Sequence, residues 1–414
     1  MSITQVKVNN VELDLANVSY SIKVTHGRSD VASTPEPSQA VFEYDITGSN
    51  SLPIALADEI VIKGYTKNRF TGKVTDIDLR HEPASGDRPA WTTVQVTAMG
   101  TLARLSRFFD GSSGFPAQSV QDRVDAILTG TGLTYTAEAD PALNLIAYDP
   151  NETDVAALLA DICDSTGATV FDTPDGDIYF ESYTRRGYSY STARWSDYIS
   201  GEIWQDLVGT WDEQYTPGTS APQLVTIPGS VVSWEPSWRT TDSTIINAVT
   251  VGYGTANPQA TEYLDDSTSI ATYDIRQTNI ATDLETASDA LRRAQLIITA
   301  QSVERWQLGT ISIDLDQIPT TQLRENILDL REGARVLIED LPQPNPTGTS
   351  QFLGVVEGWA EEYADGVNIM GLSLSDPRFS YATVSWGEAP ATATWGGVPV
   401  SKTWADIIVP ADLI

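Results

Sequence analysis

Apolar and polar residues alternate through the first hundred positions: Val6 and Val8, then Tyr20, Ile22 and Val24, then Phe42, Tyr44 and Ile46 sit two apart. That is the period of half-buried strands, and the Asn, Gly, Pro and Ser clusters between them are turn chemistry. Phe70, Gly72 and Val74 continue the rhythm. The next apolar pair, Ile77 and Leu79, is one residue out of phase, which predicts a β-bulge because a one-residue slip would otherwise turn the strand's apolar face to solvent. Val94, Val96 and Ala98 follow a polar turn at EPASGDRP. Residues 1–108 therefore read as a first β-barrel domain.

From about residue 109 the period changes to that of helices. Ser119 and Asp122 form a start signal for a helix carrying Val120, Val124, Ile127 and Leu128, stopped by Gly130. A second helix, opened by Thr153 or Asp154, gathers Val155, Leu158, Leu159 and Ile162 and ends at Gly167. It leads into a hairpin, ATVFDTPDGDIYFES, whose Pro-Asp-Gly is a turn. Residues 109–200 read as a small α/β insert. Further on, Thr282 and Glu285 make a capping box for a long helix near 283–302, with Leu284, Ala287, Leu291, Ala294 and Ile298 on one face. Strand-like stretches surround it, including IINAVTVGYG, GARVLIED, QFLGVVEGW and VNIMGLSLS. Residues 201–380 are expected to be a second β-barrel domain containing that helix.

The chain also resembles itself. Residues 57–74, ADEIVIKGYTKNRFTGKV, match residues 333–356, GARVLIEDLPQPNPTGTSQFLGVV, in order: a β-rich triplet, a polar turn, then Phe-x-Gly-x-Val. Phe70, Gly72 and Val74 correspond to Phe352, Gly354 and Val356, and the second turn, with Pro342, Pro344 and Pro346, is longer by six residues. The repeat implies two related barrels or half-barrels in one mainly β chain, with an α+β insert between them. Gly72 and Gly354 mark places where a strand bends sharply or another backbone comes close; the plainer alternative is two ordinary strands with a glycine bulge.

The chain's 414 residues are enough for two or three domains, and its 25 Lys and Arg against 56 Asp and Glu leave a net charge of -31. Such a charge repels phosphate backbones and anionic headgroups, so a conventional nucleic-acid binder is not expected. Cys163 is the one cysteine and no internal disulfide can form. No stretch is long and apolar enough to be read as a membrane segment, and the first residues lack the pattern of an export signal.

An FTGKV-type strand comes early, followed by the SVQDRVDAIL helix, the helix DVAALLADICDSTG with its VFDTPDGDIYF hairpin, TIINAVTVGYG, and a closing LGVVEGWAEEYADG strand. In this order of elements the chain resembles the tail hub proteins of tailed bacteriophages. The resemblance covers roughly residues 1–380. It implies a structural virion protein at the distal end of the tail, a homotrimer whose two barrels per chain make a pseudo-hexameric ring. Such a ring meets the sixfold tail tube on one side and fibre or tip proteins on the other, and surrounds the DNA exit channel without binding DNA specifically. An acidic lumen would keep the passage from holding phosphates.

Residues 381–414 are expected to run as an extended arm rich in Trp, Pro and Gly. Trp386, Trp395 and Trp404 recur every nine residues, and an extended peptide with periodic indoles can seat its rings in pockets on a neighbouring subunit or another tail-tip protein. A hairpin packed on its own barrel is the alternative. From a different class, the insert and the Trp segment could bind cell-surface glycan as an adhesin; a glycosidase ranks third.

Catalytic constellations are thin. His26 and His81, the only histidines, fall in or beside turn segments and fit neither HExxH nor a zinc spacing. G-x-S-x-G and a Walker loop are absent, and GTG at 130–132 reads as a helix stop. Asp265 with Asp266 and Glu361 with Glu362 are chance neighbours in so acidic a chain, since acid-base catalysis needs carboxyls facing across a cleft. Asp172, Asp175 and Asp177 depart from calcium-loop spacing and read as a hairpin turn. No enzyme, metal or cofactor is expected.

Overall fold

The alternating segments of the first hundred residues form β1 (Ile3–Val8), β2 (Val11–Glu12), β3 (Val18–Gly27), β4 (Glu36–Thr47), β5 (Glu59–Gly64), β6 (Lys67–Glu82) and β7 (Trp91–Gly100). The structure, a computed structural model, describes residues 3–29, 35–47, 52–83, 91–140, 143–183, 224–233, 237–240, 244–256, 258–346, 348–364 and 367–376. The inward positions Ile22, Val24, Phe42, Ile62, Phe70 and Val96 are fully buried. The change of phase after Val74 is a bulge: Val74 faces Ala98 and Asp76 faces Thr97, with Thr75 left over.

Next come α1 (Val120–Thr129), β8 (Tyr135–Glu138), α2 (Val155–Thr166), β9 (Thr169–Asp172) and β10 (Ile178–Glu181). Ser119 caps α1 by accepting from Asp122 N, and Asp154 caps α2 by accepting from Ala157 N. Both helices join the small sheet β8–β10–β9 in a core of their own.

The later part holds β11 (Val225–Ile227), β12 (Val232–Ser233), β13 (Trp238–Arg239), β14 (Ala248–Tyr253), β15 (Ala260–Asp265), α3 (Ser267–Tyr273), β16 (Gln277–Ala281) and α4 (Ala287–Gln301). It continues with β17 (Gln307–Leu308), β18 (Ile311–Asp314), α5 (Thr321–Leu328), β19 (Arg335–Ile338), β20 (Phe352–Ala364) and β21 (Val367–Ser375). The long helix starts later than the sequence suggests. Its N-cap is Thr286, accepting from Asp289 N. Thr282 instead donates to Gly252 O, and residues 283–285 run extended against the first insert, with Ile146 N on Asp283 O and Glu285 N on Asn144 O. This helix is not part of a barrel. It packs on the three-stranded sheet β15–β14–β16 as a second α/β unit, while Leu284 and Leu296 reach into the core of the first.

The two expected barrels are joined into one sheet. Thirteen strands form a single curled surface in the order β12–β18–β21–β20–β3–β4–β7–β6–β5–β1–β2, with β19 on β20 and β11 on β19. One apolar core runs through both halves.

The repeat is nonetheless present strand for strand. Ile60 faces Gly72 and Ile62 faces Phe70; in the second half Val336 faces Gly354 and Ile338 faces Phe352. The bulge after Val74 recurs after Val356. Beyond it Ile77 faces Val96 as Trp359 faces Leu372. Outward from there β7, β4 and β3 are matched by β21, β18 and β12, each pair antiparallel. A short 3-10 turn precedes β3 (Leu15–Asn17) and another precedes β12 (Gly229–Val231). Among the described residues the second half has no counterpart of β1, and β11 lies directly beside β19 and parallel to it, the direction β2 has relative to β5 with β1 between them. The second α/β unit lies in sequence between β13 and β18, the strands that match β3 and β4.

Phe-x-Gly-x-Val has a packing reason. A Cβ on Gly72 would stand 2.5 Å from the Phe70 ring and 2.4 Å from Met99 O, and one on Gly354 would stand 2.9 Å from the Phe352 ring. In each half the phenyl ring lies across the glycine two residues on. The repeat starts with a left-handed residue as well: Ala57 at φ 68° and Gly333 at φ 77°. A side chain there costs roughly 1–2 kcal/mol, against about 0.5–1 for the freedom glycine loses. Ala57→Gly should therefore stabilise the protein by about 0.5–1 kcal/mol, read as a raised urea midpoint; an unchanged or lowered midpoint would contradict this.

Candidate functional site

The region that the repeat itself singles out is the seam between halves. In β20, residues 352–355 pair with β19; past the bulge the same edge, 358–364, takes β3 antiparallel, with Gly358 opposite Gly27, Glu361 opposite Val24 and Ala364 opposite Ser21. An unpaired edge leaves N–H and C=O groups without partners, and here the first half supplies them. On the outer face Lys23 meets Glu362 at 3.5 Å. At the seam's end Arg28 donates from Nε to Glu357 Oε2 at 2.7 Å and from its amide to Glu357 O at 3.0 Å.

Beneath the seam lies a buried charged cluster. Lys63 pairs with Asn68 and Ile62 with Phe70, so Arg69 is the extra residue of a second bulge, which turns it inward. Arg69 and Glu361 are both 0% exposed at the side chain and form an ion pair; Arg69 also donates to Leu328 O. Glu361 accepts from Trp359 Nε1 at 2.8 Å and from Tyr363 Oη. Burial by itself would raise the Glu361 carboxyl, but the Arg69 charge outweighs it and holds the group below its ordinary range. Burial and the adjacent carboxylate push the Tyr363 phenol up, so it stays a donor.

His26 stacks on Trp359 across the seam, ring centroids 4.6 Å apart. It is buried on the inward face of β3, one residue before that strand ends at Gly27. Burial pulls its pKa down against the attraction of Glu361. Its Nε2 donates to Arg69 O at 2.8 Å, and its Nδ1 lies 2.6 Å from Ser38 Oγ, which donates to Asp172 at 2.6 Å. Asp172 also accepts from Ser38 N and Leu102 N. The hairpin aspartate thus ties the first insert to the sheet rather than facing Asp175, whose carboxylate takes Asn68 Nδ2. In this row serine stands between acid and imidazole. Activating a serine needs the imidazole between, and Ser38 is 1% exposed.

Because Glu361 is held low only in the folded state, the stabilisation is complete above about pH 4.5 and is lost as pH falls through the folded-state value. Wild type should lose urea resistance between pH 5 and 3 more steeply than Glu361→Gln, although the variant is weaker at pH 7. Equal acid slopes would contradict the ion-pair description.

The structure brings Phe70, Val74, Phe352 and Val356 into the shared core, with Gly72 and Gly354 beneath the phenyl rings. Trp386, Trp395 and Trp404 lie outside the described residues. His81 is exposed on β6, its Nδ1 2.9 Å from Thr92 Oγ1. Among the described residues no cluster of His, Cys, Asp and Glu could hold a metal, and no helix is long and apolar enough to cross a membrane. Arg69, Glu361, His26 and Trp359 are not apparent as a set in the sequence. Their one signal is Glu361 placed between Trp359 and Tyr363 on a strand's inward face, where a carboxylate requires a buried partner.

No protein-family model and no curated protein matches the sequence. Solved structures do. The prophage MuSo2 43 kDa tail protein of Shewanella oneidensis is similar at TM-score 0.60 and 13% identity, over 91% of this chain and 99% of that one. A tail protein of Neisseria meningitidis MC58 matches at TM-score 0.59 and 13% identity, over 91% and 97%. The prophage tail protein gp18 of Listeria monocytogenes EGD-e matches at 0.53 and 10%, over 89% and 94%. The chain shares the fold of these tail proteins over nearly its whole length and theirs.

Proposed function

We propose that the chain is a structural component of a phage virion, a tail-tip hub of which three copies form a ring between the sixfold tail tube and the distal tip, around the DNA exit channel. The observation that carries this reading is the strand-for-strand repeat. Two equivalent modules per chain let three chains offer six similar surfaces to a sixfold neighbour, and the fold shared with phage tail proteins agrees with that use. The role is one of assembly: the charged cluster is sealed inside the seam and positions the halves, with no cofactor or catalytic step assigned to it. The excess of acidic residues, 56 against 25 basic, suits a lumen that repels passing phosphates. Trp386, Trp395 and Trp404 belong to an arm that grips a neighbouring subunit, a distal tail ring, or a fibre or tip protein.

The test is location. Gold-labelled antibody against the chain should decorate the distal end of purified phage tails, one cluster per particle. Label along the whole tube, on the capsid, or absent from virions would contradict the reading.

A further inference from the structure

Residues 358–364 of β20 have a counterpart in β6, residues 76–82, placed by the same bulge and the same hairpin register. In β20 that edge carries β3. In β6, pairing with β5 stops at Lys73, and among the described residues no strand lies on that side of 76–82. The segment is correspondingly open: Asp76, Asp78, Arg80 and His81 are exposed and Leu79 is 49% exposed, whereas Glu361, at the same place in β20, is buried.

The matching strand is present too. The counterpart of β3 in the second half is the run through β12 and β13. Val232 faces Ile313 as Val18 faces Tyr44. The same spacing aligns residues 237–240 with 23–26, and their exposure follows suit: Ser237 and Arg239 are exposed like Lys23 and Thr25, while Trp238 and Thr240 turn inward like Val24 and His26. β13 pairs with β17 on one side. Among the described residues its other edge, the one β3 gives to β20, has no strand.

We infer that residues 76–82 of β6 are the docking edge for residues 237–240 of a second copy of this chain, added antiparallel in the register by which β20 takes β3. This rests on the ring reading above and names its contact. The register sets Leu79 opposite the partner copy's inward Trp238, and on the outer face it sets Asp78 opposite Arg239. Two edges with unsatisfied backbone groups are closed at once, an exposed leucine is covered, and opposite charges meet. The turn between β5 and β6 points the same way. Within one chain it rests on the other half, with Lys67 on Asp329 at 2.8 Å and Thr66 on Glu325 at 2.7 Å. Between chains the longer, proline-bearing turn from 339 to 351 would rest correspondingly on the segment near Leu56, which is 63% exposed.

Cysteines directly opposite across antiparallel strands lie within disulfide reach, and those displaced by two residues do not. The full-length protein, with Cys163→Ala, is oxidised as three double variants. Ala360→Cys with Thr25→Cys should link within one chain and run as a monomer on a denaturing gel. Asp78→Cys with Arg239→Cys should link between chains and give a ladder ending in a closed species; Asp76→Cys with Arg239→Cys should not. Native mass is measured in parallel, and the single reversals Asp78→Arg and Arg239→Asp should each weaken association at least about tenfold, with the double reversal restoring it. An oligomer that yields no Asp78–Arg239 link, or is unmoved by the reversals, overturns this edge while leaving the ring. A chain that stays monomeric at high concentration overturns the ring itself.

Discussion

Replacing Arg69 by Met should be among the most damaging single changes in the protein, lowering its stability by about 3–5 kcal/mol. The effect comes less from the lost attraction than from what remains: Glu361, fully buried, would keep its charge or take up a proton with Trp359 and Tyr363 as its side-chain hydrogen-bond donors among the described residues. The double variant Arg69→Met with Glu361→Leu removes both charges and replaces them with apolar volume. It should recover a good part of the loss, because a buried ion pair exchanged whole for packed hydrophobes is often close to neutral. Urea unfolding of the two single variants and the double completes the cycle. Additive losses would show that the charges do not interact and that the cluster is held by something else.

The second large effect is at the glycines of the seam. Gly27 sits at φ 72°, and a Cβ there would lie 2.5 Å from Glu357 O and 2.8 Å from the Gly358 Cα; a Cβ on Gly358 would lie 2.5 Å from His26 O and 2.6 Å from Arg28 N. The neighbours at fault are backbone atoms, which cannot swing aside as a side-chain tip could. Gly358→Val should therefore cost about 1–3 kcal/mol through overlap alone, and Gly27→Val about 1–3 more through its left-handed backbone. Both changes should part β20 from β3 while leaving each half's own hairpins. Hydrogen exchange is the discriminating readout: protection should fall first in 21–27 and 358–364. Loss spread evenly over the sheet would mean that the seam is no separate element.

Much of this was legible in the sequence because the repeat is written in packing constraints that composition cannot imitate. The one-residue change of phase at Ile77 needs a bulge, and the shared glycines mark a close approach, so both could be read from letters alone; that the approaching groups include the phenyl rings of Phe70 and Phe352 is set by the fold. Helix starts were legible where a cap had no competing partner, as at Ser119 and Asp154. At Thr282 the same signal misled, since residues 283–285 are drawn into pairing with the first insert and the helix starts one turn later. That the halves fuse into one sheet was not legible. It depends on Gly27 and Gly358 meeting at a backbone distance, and on Arg69 being turned inward by a bulge whose only mark is its own register. The second α/β unit was hidden for a related reason: its strands have the same alternating pattern as those of the large sheet, and which sheet a strand joins is decided by the hydrogen bonds its edges find.

Image averaging of the purified full-length protein viewed along its symmetry axis, together with its native mass, bears most directly on the claim that a duplicated module lets few chains make a many-sided ring. Three chains of 44.9 kDa each in a closed ring with six similar lobes of sheet is the result expected. A ring of six chains, an open chain of copies, or a particle with one lobe per chain would contradict it.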